Sequence, residues 1–206
     1  MMKDIMTPFK SINCPQCGDT LPLYFAHAKI AQCESCQSTI FLEDESARLA
    51  GHSSVLAPEP SLIELNKTFK YEKKYYLPVG MVRYSYGRGF WEEWWLKDDN
   101  QDEYWLSVDE GDMALEKLVP NEDKANIFKT AKVGQPVGSN WVITEIDRGK
   151  CVGFSGSLPY EIVEGQKHNY IQLSGYDASI KTIEVDPSGV RTYIGKWIDP
   201  FAIKVV

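Results

Sequence analysis

The sequence is short of several features that would point to a membrane protein, a secreted protein or a nucleic-acid binder. No apolar run approaches the roughly 18 residues that a spanning helix needs. The first residues lack the apolar core and small-residue cleavage site of an export signal. Basic residues are too few to balance the acids, 22 against 29, and the net charge of −7 repels phosphate backbones and anionic membrane surfaces. These absences predict a cytoplasmic protein for which nucleic acid is an unfavourable partner.

Aromatic residues, in contrast, are plentiful. The 206 residues include 11 Tyr, 8 Phe and 6 Trp, within a hydrophobic content of 43%. Aromatic side chains pack well on strands, so this composition argues against an all-α protein. The length allows one good-sized domain with a real core together with a smaller one.

The most specific pattern is a pair of Cys-x-x-Cys motifs. Cys14 and Cys17 form the first, Cys33 and Cys36 the second, and fifteen residues separate them. This spacing is typical of a four-cysteine zinc ribbon. A thioredoxin-like redox pair would need a βαβ context, and structural disulfides an oxidising compartment, and neither is indicated. Four thiolates leave a tetrahedral ion no open position, so the sequence predicts one structural Zn²⁺ ion.

The remaining cysteine and the histidines predict no further metal site. His27 lies between the two cysteine pairs, where four sulfurs already complete a ligand set, and is expected on the surface. Cys151 stands alone in a strand-like run and is predicted to be a buried, inert thiol.

The chain divides into three predicted parts. Residues 1–42 form the zinc ribbon, which is expected to fold independently of the rest, and residues 43–61 form a Gly-, Ser- and Pro-containing linker. Residues 62–206 read as short strands with polar turns. "DRGK" and "DPSG" predict hairpins, and "NEDKANIFKTA" a helix capped by Asn121. The fold class is therefore mainly β, an antiparallel sandwich or barrel-like domain that two similar β units could build.

A tryptophan-rich stretch, "FWEEWWLKDDNQDEYWLS", raises the question of function. Period-two alternation puts Phe90, Glu92, Trp94 and Leu96 on one face of a strand, which looks like core. Trp91, Glu93, Trp95 and Lys97 share the other face, which the ribbon, the linker or a partner protein could cover. Trp105, on the next strand, adds a further ring.

Glu93 is the acid of most interest in this stretch. Glu92 and Glu93 cannot act as a catalytic pair, because neighbouring residues on a strand point to opposite faces. Flanking tryptophan rings could raise the pKa of Glu93. The alternative is a structural carboxylate that accepts a hydrogen bond from the backbone or from a tryptophan N–H.

Several motifs carry a family resemblance: "WEEWWL" followed by "YWLS", "GFSGSLP" at 153–159, and "YIGKWI" near the end. Over residues 62–206 the chain resembles a bacterial family, the domain of unknown function 4178. An acidic residue often precedes the Leu-Pro of that family, whereas this chain has Ser157, so no role is carried over from that acid. The resemblance implies a β domain of unassigned activity that often follows a zinc ribbon. It also implies that the protein is encoded near phage-shock-like membrane-remodelling proteins, spermidine-synthase-like enzymes and small membrane proteins.

These observations lead to three functional hypotheses. The first is a non-enzymatic adaptor of a membrane-stress or envelope-associated system, peripheral to the inner membrane. Its partner would be a phage-shock-like or other membrane-associated protein. The residues expected to bind that partner are Trp91, Glu93, Trp95 and Trp105. The second is an enzyme or small-ligand binder with a pocket near Glu93 and the "SGSLP" loop. The third is nucleic-acid binding through the ribbon.

Overall fold

The computed structural model describes residues 5–43, 46–49, 56–57, 59–120, 127–187 and 189–206. The ribbon region contains β1 (Lys10–Asn13), β2 (Thr20–Leu23), β3 (Ile30–Gln32), β4 (Thr39–Glu43) and β5 (Ser46–Leu49). Next come β6 (Phe69–Tyr71), β7 (Lys74–Ser85), β8 (Phe90–Asp98), β9 (Glu103–Asp109) and β10 (Asp112–Val119). The second half contains α1 (Ile127–Thr130), β11 (Pro136–Val137), β12 (Trp141–Leu158), β13 (Lys167–Ser174), β14 (Ser179–Asp186) and β15 (Gly189–Ile198). A 3₁₀ turn (Pro200–Ala202) and β16 (Lys204–Val205) end the chain.

Eight of these strands close into an antiparallel barrel, in the order β7-β8-β9-β10-β15-β14-β13-β12 and back to β7. The closing contact is the pairing of β7 with the second half of β12, from Ser85 opposite Lys150 to Gly80 opposite Gly156. The first half of β12 pairs with β13 instead. The predicted mainly β, antiparallel domain is therefore confirmed, and of the two predicted alternatives, sandwich or barrel-like, the strands form the barrel.

The barrel consists of two four-stranded meanders, β7 to β10 and β12 to β15. They meet edge to edge at two antiparallel seams, β10 with β15 and β7 with β12. The two meanders have the same connectivity, which agrees with the prediction of two similar β units. The predicted "DPSG" turn lies between β14 and β15, where Gly189 has φ 136°.

Side chains alternate between the barrel interior and an outer surface that is largely covered. On β8, Trp91, Glu93 and Trp95 face inward, while Trp94 and Leu96 pack outside against Ile63 and the β6 region. Around the second meander, Ile171, Leu173 and Ile183 pack with Ile127 and Phe128 of α1. Both faces of many strands are therefore buried.

The ribbon is docked on one end of this barrel. β3 pairs with the end of β12, Ala31 opposite Ser157 and Ile30 opposite Leu158. The ring of Phe25 lies 4.5 Å, centroid to centroid, from the ring of Trp95 inside the barrel. The independence predicted for residues 1–42 remains a prediction, but the ribbon and the barrel share one hydrophobic core.

The "DRGK" hairpin prediction is wrong, because β12 runs straight through these four residues. Gly149 is not needed for a turn. It is needed because the ring of Trp91 lies against it, and a Cβ atom there would come within 2.3 Å of that ring. A glycine in a strand can mark such a close approach as well as a turn.

The structure describes some of the predicted segments only in part. β5 lies inside the predicted linker, whereas the predicted cap Asn121 is outside the described residues. α1 occupies the end of the predicted helix. Within the described part of the chain, no helix is both long and apolar enough to cross a bilayer.

Candidate functional site

The four cysteines of the two Cys-x-x-Cys motifs come together as a cluster. Cys14 Sγ is 3.6 Å from Cys36 Sγ, and Cys17 Sγ is 3.7 Å from Cys33 Sγ. All four sulfur atoms lie within 4.8 Å of one another. A tetrahedral ion with bonds of about 2.3 Å to sulfur requires S···S separations of about 3.8 Å, so the cluster fits a metal ion.

Tight turns bring each pair of sulfurs together. The backbone N–H of Gly18 donates to the carbonyl of Cys14, and that of Gln37 donates to the carbonyl of Cys33. Both residues need a left-handed backbone, with φ 80° at Gly18 and 60° at Gln37. Gln37 therefore adopts the glycine-like conformation at some cost, and the second turn keeps the geometry of the first.

His27 and Cys151 lie where the sequence predicts. His27 is exposed, contacts Glu103 at 3.1 Å, and is not part of the cysteine cluster. Cys151 is buried in the barrel, and burial raises the pKa of its thiol to about 12. A protonated, enclosed thiol is a poor nucleophile.

The tryptophans predicted to form a docking surface are inside the barrel. Trp91, Trp95 and Trp105 are 5%, 0% and 7% exposed. The alternation predicted for β8 is right, but the face taken for surface is the barrel interior. The prediction of an exposed aromatic surface at these rings is therefore corrected, because barrel closure encloses them and Phe25 of the ribbon covers Trp95.

A polar cavity of about 190 Å³ lies in the barrel interior beside Glu93. Its walls carry the side chains of Glu116 and Glu184, together with those of His168 and Gln172. Glu93 is half-buried, whereas Glu116 and Glu184 are each only 6% exposed. The cavity thus brings together three acids from three strands, β8, β10 and β14.

The two neighbouring glutamates of "WEEWW" have different environments. Glu92, on the outer face, pairs with Arg83 at 2.7 Å. Glu93 accepts hydrogen bonds of 3.0 Å from Trp91 Nε1 and Ser107 Oγ, and no ion pair joins it to any residue that the structure describes. The predicted hydrogen bond from a tryptophan N–H is therefore present.

Burial and like charge act on the cavity acids. The pKa of Glu93 is raised well above its ordinary value. The larger cause is removal from bulk water, and the smaller is repulsion from Glu184 and Glu116. Burial raises the pKa of Glu116 to about 8, although Thr182 Oγ1 donates a 3.0 Å hydrogen bond to it. Glu184, the third of these acids, contacts Arg191 at 3.3 Å. Glu93 and Glu116 are the cavity acids that most favour a proton or another cation.

His168 completes the cavity, and the sequence did not single it out. It is 3% exposed, and burial lowers the pKa of its ring. Its Nε2 atom lies 3.6 Å from Glu184 Oε1, while its buried Nδ1 atom has no hydrogen-bond partner among the described residues. A buried polar atom without a partner is costly, so this atom is free to bind a ligand or water in the cavity.

The "SGSLP" segment is not part of this cavity, which corrects the predicted pocket. Ser155 and Gly156 pair with Met81 and Gly80 at the β7–β12 seam, and Ser157 and Leu158 pair with β3. Gly156 allows a close backbone approach, as predicted, but the approaching group is the carbonyl of Val79. Strands from the second meander, not this segment, complete the wall around Glu93.

Stability should therefore depend on pH through Glu116. A folded-state pKa raised to about 8 contributes stability that is complete below about pH 4.5 and is lost as pH rises through about 8. Glu93 acts in the same direction. His168 has the opposite sign, but its contribution is complete above about pH 6.5.

We expect the free energy of unfolding to fall between about pH 6.5 and about pH 9, and Glu116→Gln to flatten that decline. Urea unfolding at several pH values measures this change in the free energy of unfolding. Glu161→Gln, at an exposed site, is the control and should keep the wild-type slope. A wild-type slope in Glu116→Gln would contradict the assignment.

Comparison with known proteins identifies a family but no activity. The family model described as Domain of unknown function (DUF4178) matches residues 64–200. Comparison with curated proteins and with solved structures gave no match. The matched region begins before β6 and includes all eight barrel strands, whereas the cysteine cluster precedes it.

Proposed function

Because the chain belongs to the DUF4178 family, whose description assigns no activity, we propose from the geometry that its barrel is a small-molecule-binding module. The observation that carries the proposal is the polar cavity of about 190 Å³ among the inward-facing side chains of the barrel. An eight-stranded barrel is just wide enough to be filled by side chains or to hold one small ligand. The unpartnered Nδ1 atom of His168 supports the second arrangement.

The four cysteines would hold one structural Zn²⁺ ion. Their number, spacing and sulfur separations support zinc, and four thiolates leave no open position for catalysis. The ion would keep the ribbon folded where Phe25 packs on Trp95, and would so close one end of the barrel. Ribbon and cavity then have separate roles, one structural and one in binding.

The adaptor function has weaker support. A phage-shock-like or membrane-associated protein partner would need anchors on the surface, and Trp91, Trp95 and Trp105 are buried. Nucleic-acid binding is opposed by the net charge of −7. The small-ligand alternative needs neither an exposed ring nor a basic face.

A thermal-shift screen of small metabolites tests the binding function. Gln172 lines the cavity, so Gln172→Phe should fill it without removing any of the described side-chain hydrogen bonds. A ligand at about one hundred times its Kd adds about 2.7 kcal/mol, or about 5–10 °C in Tm for a chain of this size. We expect such compounds to stabilise the wild type but not Gln172→Phe.

Lys167→Phe is the matched control, because it places the same ring at an exposed position of the same strand. It should respond to ligands like the wild type. A screen in which no compound raises the Tm, or in which Gln172→Phe responds fully, would overturn the binding function.

A further inference from the structure

The charges in the barrel cavity indicate which class of ligand the cavity would accept. Glu184 and Asp186 are both contacted by Arg191, so these two acids have a basic partner. Glu93 and Glu116 have no basic partner among the described residues, and their hydrogen bonds come from hydroxyl and indole donors. The cavity therefore carries uncompensated acidity at two defined positions.

The other titratable groups around Glu93 and Glu116 do not offset this. Burial keeps the ring of His168 neutral by lowering its pKa. Glu145, on β12, lines the cavity and accepts a 2.7 Å hydrogen bond from the hydroxyl of Tyr170 on β13. No Lys or Arg lies among the described residues that line the cavity.

The rim of the cavity is acidic as well. Asp109, Glu110 and Asp112 are exposed and line the same space at the turn between β9 and β10. Acids along an opening raise the local concentration of cations and oppose the entry of anions. The rim and the interior thus favour the same sign of charge.

A metal ion is a poor match for this acidity. Among the residues that the structure describes, the four cysteines are the one group of three or more metal-ligand side chains with their ligand atoms close together. The cavity wall also includes the rings of Tyr170 and Trp197. Carboxylates and aromatic rings together are the groups that bind organic ammonium ions.

The cavity volume limits the size of such a ligand. About 190 Å³ is below the roughly 300–1,000 Å³ of pockets that hold drug-sized ligands. That is enough for a small amine or quaternary ammonium compound and too little for a nucleotide or a peptide.

We propose, on the basis of the proposed binding function, that the barrel cavity takes a small organic ammonium ion held by the carboxylates of Glu93 and Glu116. The unpartnered Nδ1 atom of His168, on the same wall, is a second polar contact for the bound molecule. Because the acids bind protons in the empty cavity, an ammonium ion displaces those protons when it binds. Binding is therefore expected to tighten as pH rises from about 6 to about 9, through the pKa of Glu116 near 8.

Three isosteric probes test the ligand class by calorimetry with the full chain. Choline is cationic, 3,3-dimethylbutanol is its neutral analogue, and 3,3-dimethylbutanoate is the anionic one. We expect choline to bind at least about tenfold more tightly than the neutral probe at pH near 8.5, which is a difference of about 1.4 kcal/mol. We expect the anionic probe not to bind.

Two conservative variants connect that preference to the named acids. Glu93→Gln and Glu116→Gln should each lower choline affinity about tenfold or more and reduce its pH dependence, while Glu161→Gln should change neither. Both replacements put a neutral amide of similar size where burial already favours the neutral acid, so folding should survive, and circular dichroism checks this.

The outcomes separate the ligand class from the binding function. Equal or tighter binding of the neutral or anionic probe, blocked by Gln172→Phe, would overturn the ammonium class and leave the small-molecule function in place. No choline binding at millimolar concentration would also overturn the ammonium proposal, and the metabolite screen would still test the barrel as a binding module.

Discussion

Replacing Cys33 by serine is expected to release the metal ion and to loosen the ribbon end of the barrel, with a loss of several kcal/mol in the free energy of unfolding. Cys33 is fully buried and follows β3 directly, and β3 pairs with β12. Zinc contributes about 10–16 kcal/mol of apparent binding free energy to folded zinc-finger peptides. Elemental analysis measures the metal, and thermal unfolding measures the stability.

The same variant should change tryptophan fluorescence. Phe25 covers Trp95, and the indole N–H of Trp95 donates to Glu103, which also contacts His27. When the ribbon opens, water should reach Trp95 and shift its emission to the red. A ribbon that folded independently would melt without this shift.

Cys151→Ser is the control, because Cys151 is a buried cysteine outside the cluster. It should retain one metal ion per chain. Full metal content in Cys33→Ser would contradict the four-cysteine site. Iron with visible colour in place of zinc would contradict the identity of the ion.

Gly80→Ala is expected to disrupt barrel closure and to destabilise the protein by about 3 kcal/mol or more. A Cβ atom on Gly80 would lie 1.8 Å from the carbonyl oxygen of Ser157. That oxygen belongs to the backbone of β12, so it cannot move aside without breaking the β7–β12 seam. Urea unfolding followed by circular dichroism measures the loss.

Gly111→Ala separates this clash from the ordinary cost of replacing a glycine. Gly111 has φ 100° and no heavy atom within 4 Å of its added Cβ, so only backbone strain of about 1–2 kcal/mol is expected. If Gly80→Ala cost no more than Gly111→Ala, the close packing at the seam would be refuted.

The sequence predicts local features of this protein well because their causes are local. Two Cys-x-x-Cys motifs with turn residues bring four sulfurs together, and alternation on β8 separates Glu92 from Glu93 correctly. The turn at Gly189 follows from "DPSG" for the same reason. In each case the residues that decide the structure are close together in the chain.

Barrel closure could not be predicted in this way, because it depends on β7 pairing with a strand about 70 residues later. In a closed barrel, the polar face of an alternating strand can point into the interior instead of toward solvent. His168, Tyr170 and Gln172 alternate with Ile171 and Leu173, a pattern that usually marks a solvent face. Here the apolar residues face α1, and the polar ones line the cavity.

That reversal also explains why the sequence does not reveal that these tryptophans lie inside the barrel. Trp91 and Trp95 alternate with Trp94 on β8, so both faces of the strand are aromatic, and composition alone does not say which is inside. The outer face is covered by residues from before β6, including Ile63 and Leu65. Only the three-dimensional pairing distinguishes the two faces.

The most direct test of the central claim is an experimental structure of the protein purified from its source under non-denaturing conditions. The account predicts density for a small molecule in the barrel cavity, within hydrogen-bond distance of His168 Nδ1 and close to Glu93 and Glu116. A cavity that holds only water, in protein that retains its metal ion and also shows no ligand in the metabolite screen, would contradict it.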